Sequence, residues 1–342
     1  MRLLSSMQAL AHGSQSVMYF QWRKGRGAAE MFHGAVVDHD GSENHRVFKD
    51  VAQVGQALET LEPLYDAPKQ KAEVCIIYDT QNRWAIDYAQ TGHAKNMRYY
   101  DSVNMHYRSL WEQGVNVDFR DTREGTDLSG YKLVICPMLF MLKESFAEKL
   151  RAFVENGGTL LMTYFSGVVD ESGLAWLGGA PHNLVDVLGV RATELDALFP
   201  EDQQALLLNG KAYKVTELCE IPENHGAETL GVFESDFYAG MPCLSKNRYG
   251  EGTAYYLSAK LEQAGLDAIY GDIAAELALT RALPDELPAG VIPTERGGAV
   301  FLQNYSGQEQ SFTLAESYTD LLTGETVQQI ILPANGVMVL KK

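Results

Sequence analysis

Glu30 and His33 lie three residues apart, with Gly34 next, inside a stretch from His12 to His39 that is dense in polar and aromatic side chains. If the segment turns helically, that spacing puts a carboxylate and an imidazole on one face. Such a pair can hold adjacent hydroxyl groups of a sugar, since one accepts hydrogen bonds and the other donates or accepts. Taken alone, the spacing favours a plainer alternative, a solvated Glu30 and a His33 that caps a turn. Trp22 and Arg23 follow directly on the apolar run Val17-Met18-Tyr19-Phe20. An aromatic face suits the apolar side of a sugar ring, and a guanidinium beside a carboxylate keeps it ionised. The competing reading is a packed Trp and a structural ion pair; the residues favour packing for Trp22 and leave Arg23 open. His12, Asp38 and His39 are of metal-ligand type but lack ligand spacing, so no metal is expected.

Two further places invite chemistry. Asp79-Thr80-Gln81-Asn82-Arg83-Trp84 follows an apolar strand, where ligands gather in open parallel sheets. Arg83 is therefore a candidate to line a pocket or a subunit contact. A solvated loop with Trp84 packed inward fits about as well. Thr163-Tyr164-Phe165-Ser166-Gly167 occupies the position of a strand-to-helix nucleophile elbow but has neither a Cys nor a leading Gly. Cys136 is followed by Pro137, and no His-x-Glu pair appears downstream. Catalysis by this part of the chain is not expected.

The elements that must position these residues read as follows. Residues 1–12 carry apolar side chains at helical spacing, and Val17–Phe20 predicts a strand buried on both faces. Val47 to Tyr65 has a helical period. Asp66 to Lys71 is a polar linker. From Glu73 to Phe165, strands at 73–79, 115–119, 132–136 and 159–165 alternate with helices at 97–113 and 143–156, which predicts a parallel, doubly wound sheet. The pattern then loosens, with strands at 230–239 and 253–257 and a helix at 265–279. Pro284, Pro288 and Pro293 mark the next boundary. Short alternating strands follow at 299–304, 310–314, 318–321, 326–332 and 336–340, predicting a small antiparallel β-sandwich. One strand with its flanking helices leaves edges unpaired, so the N-terminal segment needs a covering surface, within the chain or between chains.

Those 342 residues hold enough chain for two or three domains with proper cores. A formal charge of −17 argues against nucleic acid and disfavours anionic membranes. Four scattered cysteines, Cys75, Cys136, Cys219 and Cys243, form no CxxC pair and read as reduced. No apolar run reaches membrane-spanning length.

Ser6-Met7-Gln8-Ala9, Ala11-His12-Gly13, Tyr19-Phe20-Gln21-Trp22-Arg23 and Gly34-Ala35-Val36-Val37-Asp38-His39, continued by Arg46-Val47-Phe48, resemble the end of the catalytic barrel in glycoside hydrolase family 42 β-galactosidases. The likeness runs more loosely along the remaining chain. It implies an α/β protein of three parts. Residues 1–67 would be a remnant of a (β/α)8 barrel. Residues 68–283 would form a flavodoxin-like trimerisation domain, similar in layout to class I glutamine amidotransferases. Residues 284–342 would be the small β-domain. It implies galactose binding by Glu30 and His33, a 79–84 segment near the barrel's active site, a homotrimer, and no cofactor. The family hydrolyses terminal β-D-galactosyl residues by the retaining mechanism, with two carboxylates. Both lie on barrel strands upstream of the segment resembling Met1-Arg2-Leu3, so the chain is expected to hold no catalytic residue and to be inactive alone. The alternative is a non-catalytic oligomerisation or ligand-binding module, with a cytoplasmic location expected in either case.

Overall fold

The computed structural model describes residues 1–67, 71–89 and 98–342. Part of the expected linker (68–70) and Met97, the expected start of a helix, lie outside the described residues. The chain divides into two compact units, one formed by 72–110 and 117–280, the other by 1–71, 111–116 and 281–342.

The larger unit is built on one mixed sheet. Its parallel part comprises β1 (Val74–Ile77), β2 (Val117–Arg120), β3 (Leu133–Cys136) and β4 (Thr159–Thr163). An antiparallel part adds β5 (Val190–Ala197), β6 (Gln204–Leu208), β7 (Lys211–Asn224), β8 (Glu228–Phe233) and β9 (Pro242–Tyr249). β10 (Gly252–Leu257) and the short β11 (Ala259–Leu261) complete the sheet. The order is β11-β7-β6-β8-β9-β10-β4-β3-β1-β2, with β5 also paired to β7, along Leu218–Asn224. β1, β3 and β4 are buried at every position, as strands covered on both faces must be. Phe146, Ala147, Leu150 and Val154 make the buried stripe of helix Glu144–Glu155, which joins the core around Cys136, Leu160 and Tyr256. Helices Tyr99–Trp111 and Gln263–Glu276 meet through His106, whose Nδ1 lies 2.6 Å from the Tyr270 hydroxyl. All four cysteines are free and buried.

The parallel alternation expected from residues 73–165 forms, and so does the strand at 253–257. The antiparallel half was largely missed. Its longest strand, β7, carries Lys211, Lys214, Glu217, Glu220 and Glu223, which hide any period-2 signal. The strand expected over 230–239 stops at Phe233.

In the smaller unit, β12 (Val291–Arg296), β13 (Ala299–Asn304), β14 (Gln310–Asp320), β15 (Thr326–Leu332) and β16 (Val337–Lys341) form a single antiparallel sheet in the order β12-β13-β16-β14-β15. The antiparallel pairing expected here forms, but in one sheet rather than the two of a sandwich. The strands expected at 310–314 and 318–321 are one continuous element, β14, whose register shifts between Thr313 and Tyr318.

Alternation along β13 explains why one sheet suffices. Val300 and Leu302 face a core with Leu314, Ile330, Leu332 and Leu340. Ala299 and Phe301 face Met7, Leu10 and Ala11 of helix Arg2–Ala11, Leu61 capping helix Arg46–Thr60, and Leu64 of the 3-10 turn Glu62–Leu64. The surface needed by the N-terminal helices is thus supplied by the C-terminal sheet. Buried Arg296 fastens them: its Nη1 donates to the carbonyls of Leu10 (2.6 Å) and Ser14 (2.7 Å), its Nη2 to that of Tyr65 (2.7 Å).

The expected buried strand at Val17–Phe20 does not form. Met18 is 90% exposed and Phe20 75% exposed. A strand needs backbone partners, and among the described residues this run has none. The nearest ladder is a single parallel bridge between Arg23 and Val37.

Candidate functional site

The 21–39 segment is held as two strands of extended chain side by side. The Val36 amide donates to the Gln21 carbonyl (2.9 Å), Val37 to Trp22 (2.8 Å), and Lys24 back to Val37 (3.0 Å). Lys24 also grips both oxygens of Asp38 at 3.1 and 3.2 Å. The His39 amide and the Lys24 ammonium hold the Asp38 carboxyl below the usual carboxylate range. His39 Nε2 lies 2.8 Å from the Gly25 carbonyl, pinning the loop between.

That loop carries the 3-10 turn Ala28–Phe32. A turn of this kind puts residues three apart in line, and the His33 amide donates to the Glu30 carbonyl at 3.2 Å. Glu30 and His33 therefore come together on one turn, both exposed. Gln21 Nε2 donates to Glu30 Oε2 at 3.2 Å, and the Phe20 ring meets the His33 imidazole edge-on at 6.0 Å. Gly25 is what lets the turn close, because a Cβ there would stand 2.8 Å from that of Glu30.

Trp22 is 65% exposed, its ring tilted against Phe48 at 6.2 Å, so the packed Trp expected from the sequence is not what forms. Arg23 is exposed and, among the described residues, makes no ion pair. The result is a loop on which Phe20, Trp22, Arg23, Glu30, Phe32 and His33 are exposed and Gln21 is half-buried. It offers a carboxylate, an imidazole, an amide, a cation and aromatic rings, the groups that grip a polyhydroxylated ring from its edges and its apolar side. Sequence reasoning passed over Gln21 and Phe32. Gln21 was in view as part of a motif, but its contact with Glu30 depends on how the loop folds back.

Arg83 belongs to the larger unit. There Thr80–Ala89 is a helix and not a loop, and Arg83 pairs with Asp87 one turn along at 3.6 Å. Trp84 is exposed rather than packed inward. Asp79 begins that helix, accepting from the amides of Gln81 (2.7 Å) and Asn82 (3.2 Å) and from the Thr122 amide (3.2 Å) and hydroxyl. Burial opposes its charge, but the bonds from Thr122 and the Asn82 amide outweigh that and hold the carboxyl low. Near the ends of β1 and β3, the usual ligand site, the buried Asn82 side chain ties the helix to the 138–141 segment. Its amide nitrogen donates to the Met138 carbonyl (2.9 Å), and its oxygen accepts from the Met141 amide (2.8 Å). At the elbow position Phe165 has φ +59°, and the buried Ser166 hydroxyl accepts from the Leu139 amide at 2.9 Å. Ser166 is a structural group there. Among the described residues, no three His, Cys, Asp or Glu side chains are grouped to hold a metal ion.

The family model of the β-galactosidase trimerisation domain matches residues 72–280. The chain belongs to the glycoside hydrolase family 42 β-galactosidases. Two more models of this β-galactosidase family match the flanks, the β-galactosidase model over 1–61 and its C-terminal domain over 290–342. Among curated relatives, β-galactosidase BglY of Alicyclobacillus acidocaldarius is 44% identical, over 99% of this chain and 51% of the relative. β-Galactosidase Pbg of Clostridium perfringens is 40% identical, over 100% and 51%.

Among solved structures, a catalytic mutant of Gan42B, a GH42 β-galactosidase from G. stearothermophilus, superposes with a TM-score of 0.95 at 40% identity. That match covers 99% of this chain and 50% of that one. The β-galactosidase from Rahnella sp. R3 gives 0.94 at 40% identity, with the same coverage. The chain spans about half the length of these β-galactosidases. Among the described residues, no helix is long and apolar enough to cross a membrane.

Proposed function

We propose that this chain is part of an enzyme that hydrolyses terminal non-reducing β-D-galactosyl residues with retention. In this reading the 1–67 segment supplies the end of a (β/α)8 barrel, the larger unit is a flavodoxin-like trimerisation domain, and 284–342 is a small accessory β-domain. Glu30 and His33 bind the galactosyl group, with Trp22 and Arg23 beside them; Arg83, on the larger unit, lines a pocket or a subunit contact there. The observation that carries the reading is 44% identity to a β-galactosidase along 99% of the chain. The turn that brings Glu30 and His33 together with Gln21 supports their role as sugar ligands.

Catalysis needs two carboxylates flanking the scissile bond. The family resemblance puts both on earlier barrel strands, so the 342 residues alone are inactive; the trimerisation-domain match supports a homotrimer. Four buried thiols suit a reducing, cytoplasmic location. The pure chain is tested with a chromogenic galactoside, with galactose by calorimetry and by light scattering. No turnover, together with a trimeric mass and galactose binding that vanishes in Glu30→Ala, is the expected outcome. Turnover by the pure chain overturns the inactivity, and a monomeric mass overturns the assembly role. The rival reading is a non-catalytic oligomerisation or ligand-binding α/β module.

A further inference from the structure

A cavity of about 510 Å³ in the larger unit is walled by Arg151, Arg191, His182, His225 and the glycines Gly178 and Gly179, among others. Each carboxylate at this wall already has a partner. Asp186 holds Arg151 through two bonds of 2.6 and 2.9 Å. Glu144 takes His182 at 3.0 Å, and Glu223 takes His225 at 3.4 Å. Arg191 is half-buried and, among the described residues, makes no ion pair; Glu223 stands opposite it in the β5–β7 register but bonds His225. It is a cation at the wall of a pocket, on a chain whose formal charge is −17.

We propose that this cavity binds a small oxyanion, a phosphate or carboxylate carried on a body of about monosaccharide size, with Arg191 as the residue that holds the anion. A guanidinium presents its N–H groups as a planar fork that matches two oxygens of either anion. The volume lies within the range of small-ligand clefts and exceeds what a bare inorganic anion fills. The wall is also built to keep Arg191 in place. Gly179, at φ +90°, lets the Arg191 stem cross it, since a Cβ would meet Arg191 Cδ at 3.3 Å. The Ala192 amide donates to the Ala180 carbonyl at 2.9 Å, tying the glycine turn to the strand of Arg191. The His182 imidazole stacks flat on Trp176 at 3.7 Å. Because the chain as a whole repels anions, selection rests on this local cation, and binding weakens as salt rises.

The test titrates the full chain with galactose 6-phosphate, galacturonate, inorganic phosphate and neutral galactose by calorimetry at low ionic strength. Wild type, Arg191→Gln and Arg191→Lys are compared, with circular dichroism to show equal folding. The expected result is binding of at least one sugar anion that weakens tenfold or more in Arg191→Gln, is partly kept in Arg191→Lys, and is not displaced by galactose. Binding of the phosphate sugar alone, or of the uronate alone, identifies which anion the site takes. In the wild type, shifts of the His182 and His225 ring signals on titration locate the site without any variant. Three results overturn the proposal: no anion bound by the folded chain, equal affinity in Arg191→Gln, or a change of oligomeric mass in that variant with no anion binding at all. The last would assign Arg191 to a contact between copies. Galactose binding at Glu30 is read separately by Glu30→Ala, so failure of one reading leaves the other standing.

Discussion

Replacing Glu220 by Gln should make the protein more stable above neutral pH and leave it nearly unchanged in mild acid. Glu220 is 1% exposed on β7, and its Oε1 accepts the Phe165 amide at 2.8 Å while its Oε2 meets the Tyr256 hydroxyl. Burial pushes its carboxyl up to about 7 from an ordinary 4.5, with the Tyr256 and Phe165 bonds resisting. In the folded state it therefore keeps its proton where the unfolded chain has lost it. Nothing is lost below pH 4.5; stability falls as pH rises toward 7, and the full loss persists above. A gap of 2.5 pH units at about 1.4 kcal/mol each amounts to about 3 kcal/mol.

His106 works in the opposite direction. Burial pushes its imidazole down to about 3 from 6.5, so its contribution is lost as pH falls from 6.5 toward 3. Between 4.5 and 6.5 the two slopes offset each other in the wild type. Gln at position 220 can still accept from Phe165 and donates to the Tyr256 oxygen, so its shape and bonds are kept. Urea unfolding from pH 4.5 to 8.5 should show a variant-minus-wild-type difference near zero at the acid end, growing to about 3 kcal/mol above pH 7. A difference that stays flat with pH would refute the reasoning, because Glu220 would then not titrate in that window.

Arg296→Met should destabilise the smaller unit by about 3 kcal/mol, since three carbonyls lose a charged donor, read as a lower urea midpoint. Phe301→Ala removes a fully buried ring between helices and sheet and should cost about 3–5 kcal/mol by the same measurement. Gly25→Val should weaken galactose binding without altering the larger unit, because its Cβ collides with Glu30; calorimetry beside hydrogen exchange separates the two effects.

The parallel core was legible because β1, β3 and β4 are short apolar runs bounded by turn residues, and helix Glu144–Glu155 shows a clean apolar stripe. The antiparallel half was not, because burial of Glu220 is set by Tyr256 and the Phe165 amide, each supplied by a distant strand or turn. Val17–Phe20 misled for the converse reason: four large apolar residues predict a buried strand, yet among the described residues the run has no strand partner and Met18 and Phe20 are exposed. The single C-terminal sheet read as a sandwich because β13 is apolar on both faces, and residue pattern does not tell a second sheet from a pair of helices. At the candidate site the spacing of Glu30 and His33 was legible, whereas Gln21 and Gly25 took their parts only once the 3-10 turn had closed.

The Arg296 clamp bears on how the protein is made. Leu10 and Arg296 are 286 residues apart in sequence, and most of the residues between them belong to the other unit. During synthesis at about 5–20 residues per second, the N-terminal helices leave the ribosome and wait about 15–60 seconds for the sheet that covers them. Met7, Leu10 and Leu61 present an apolar face throughout that delay, while the larger unit can fold from its own residues. That apolar face stays uncovered for as long as the intervening residues take to be made, so slowed translation anywhere between Leu64 and Val291 lengthens its exposure.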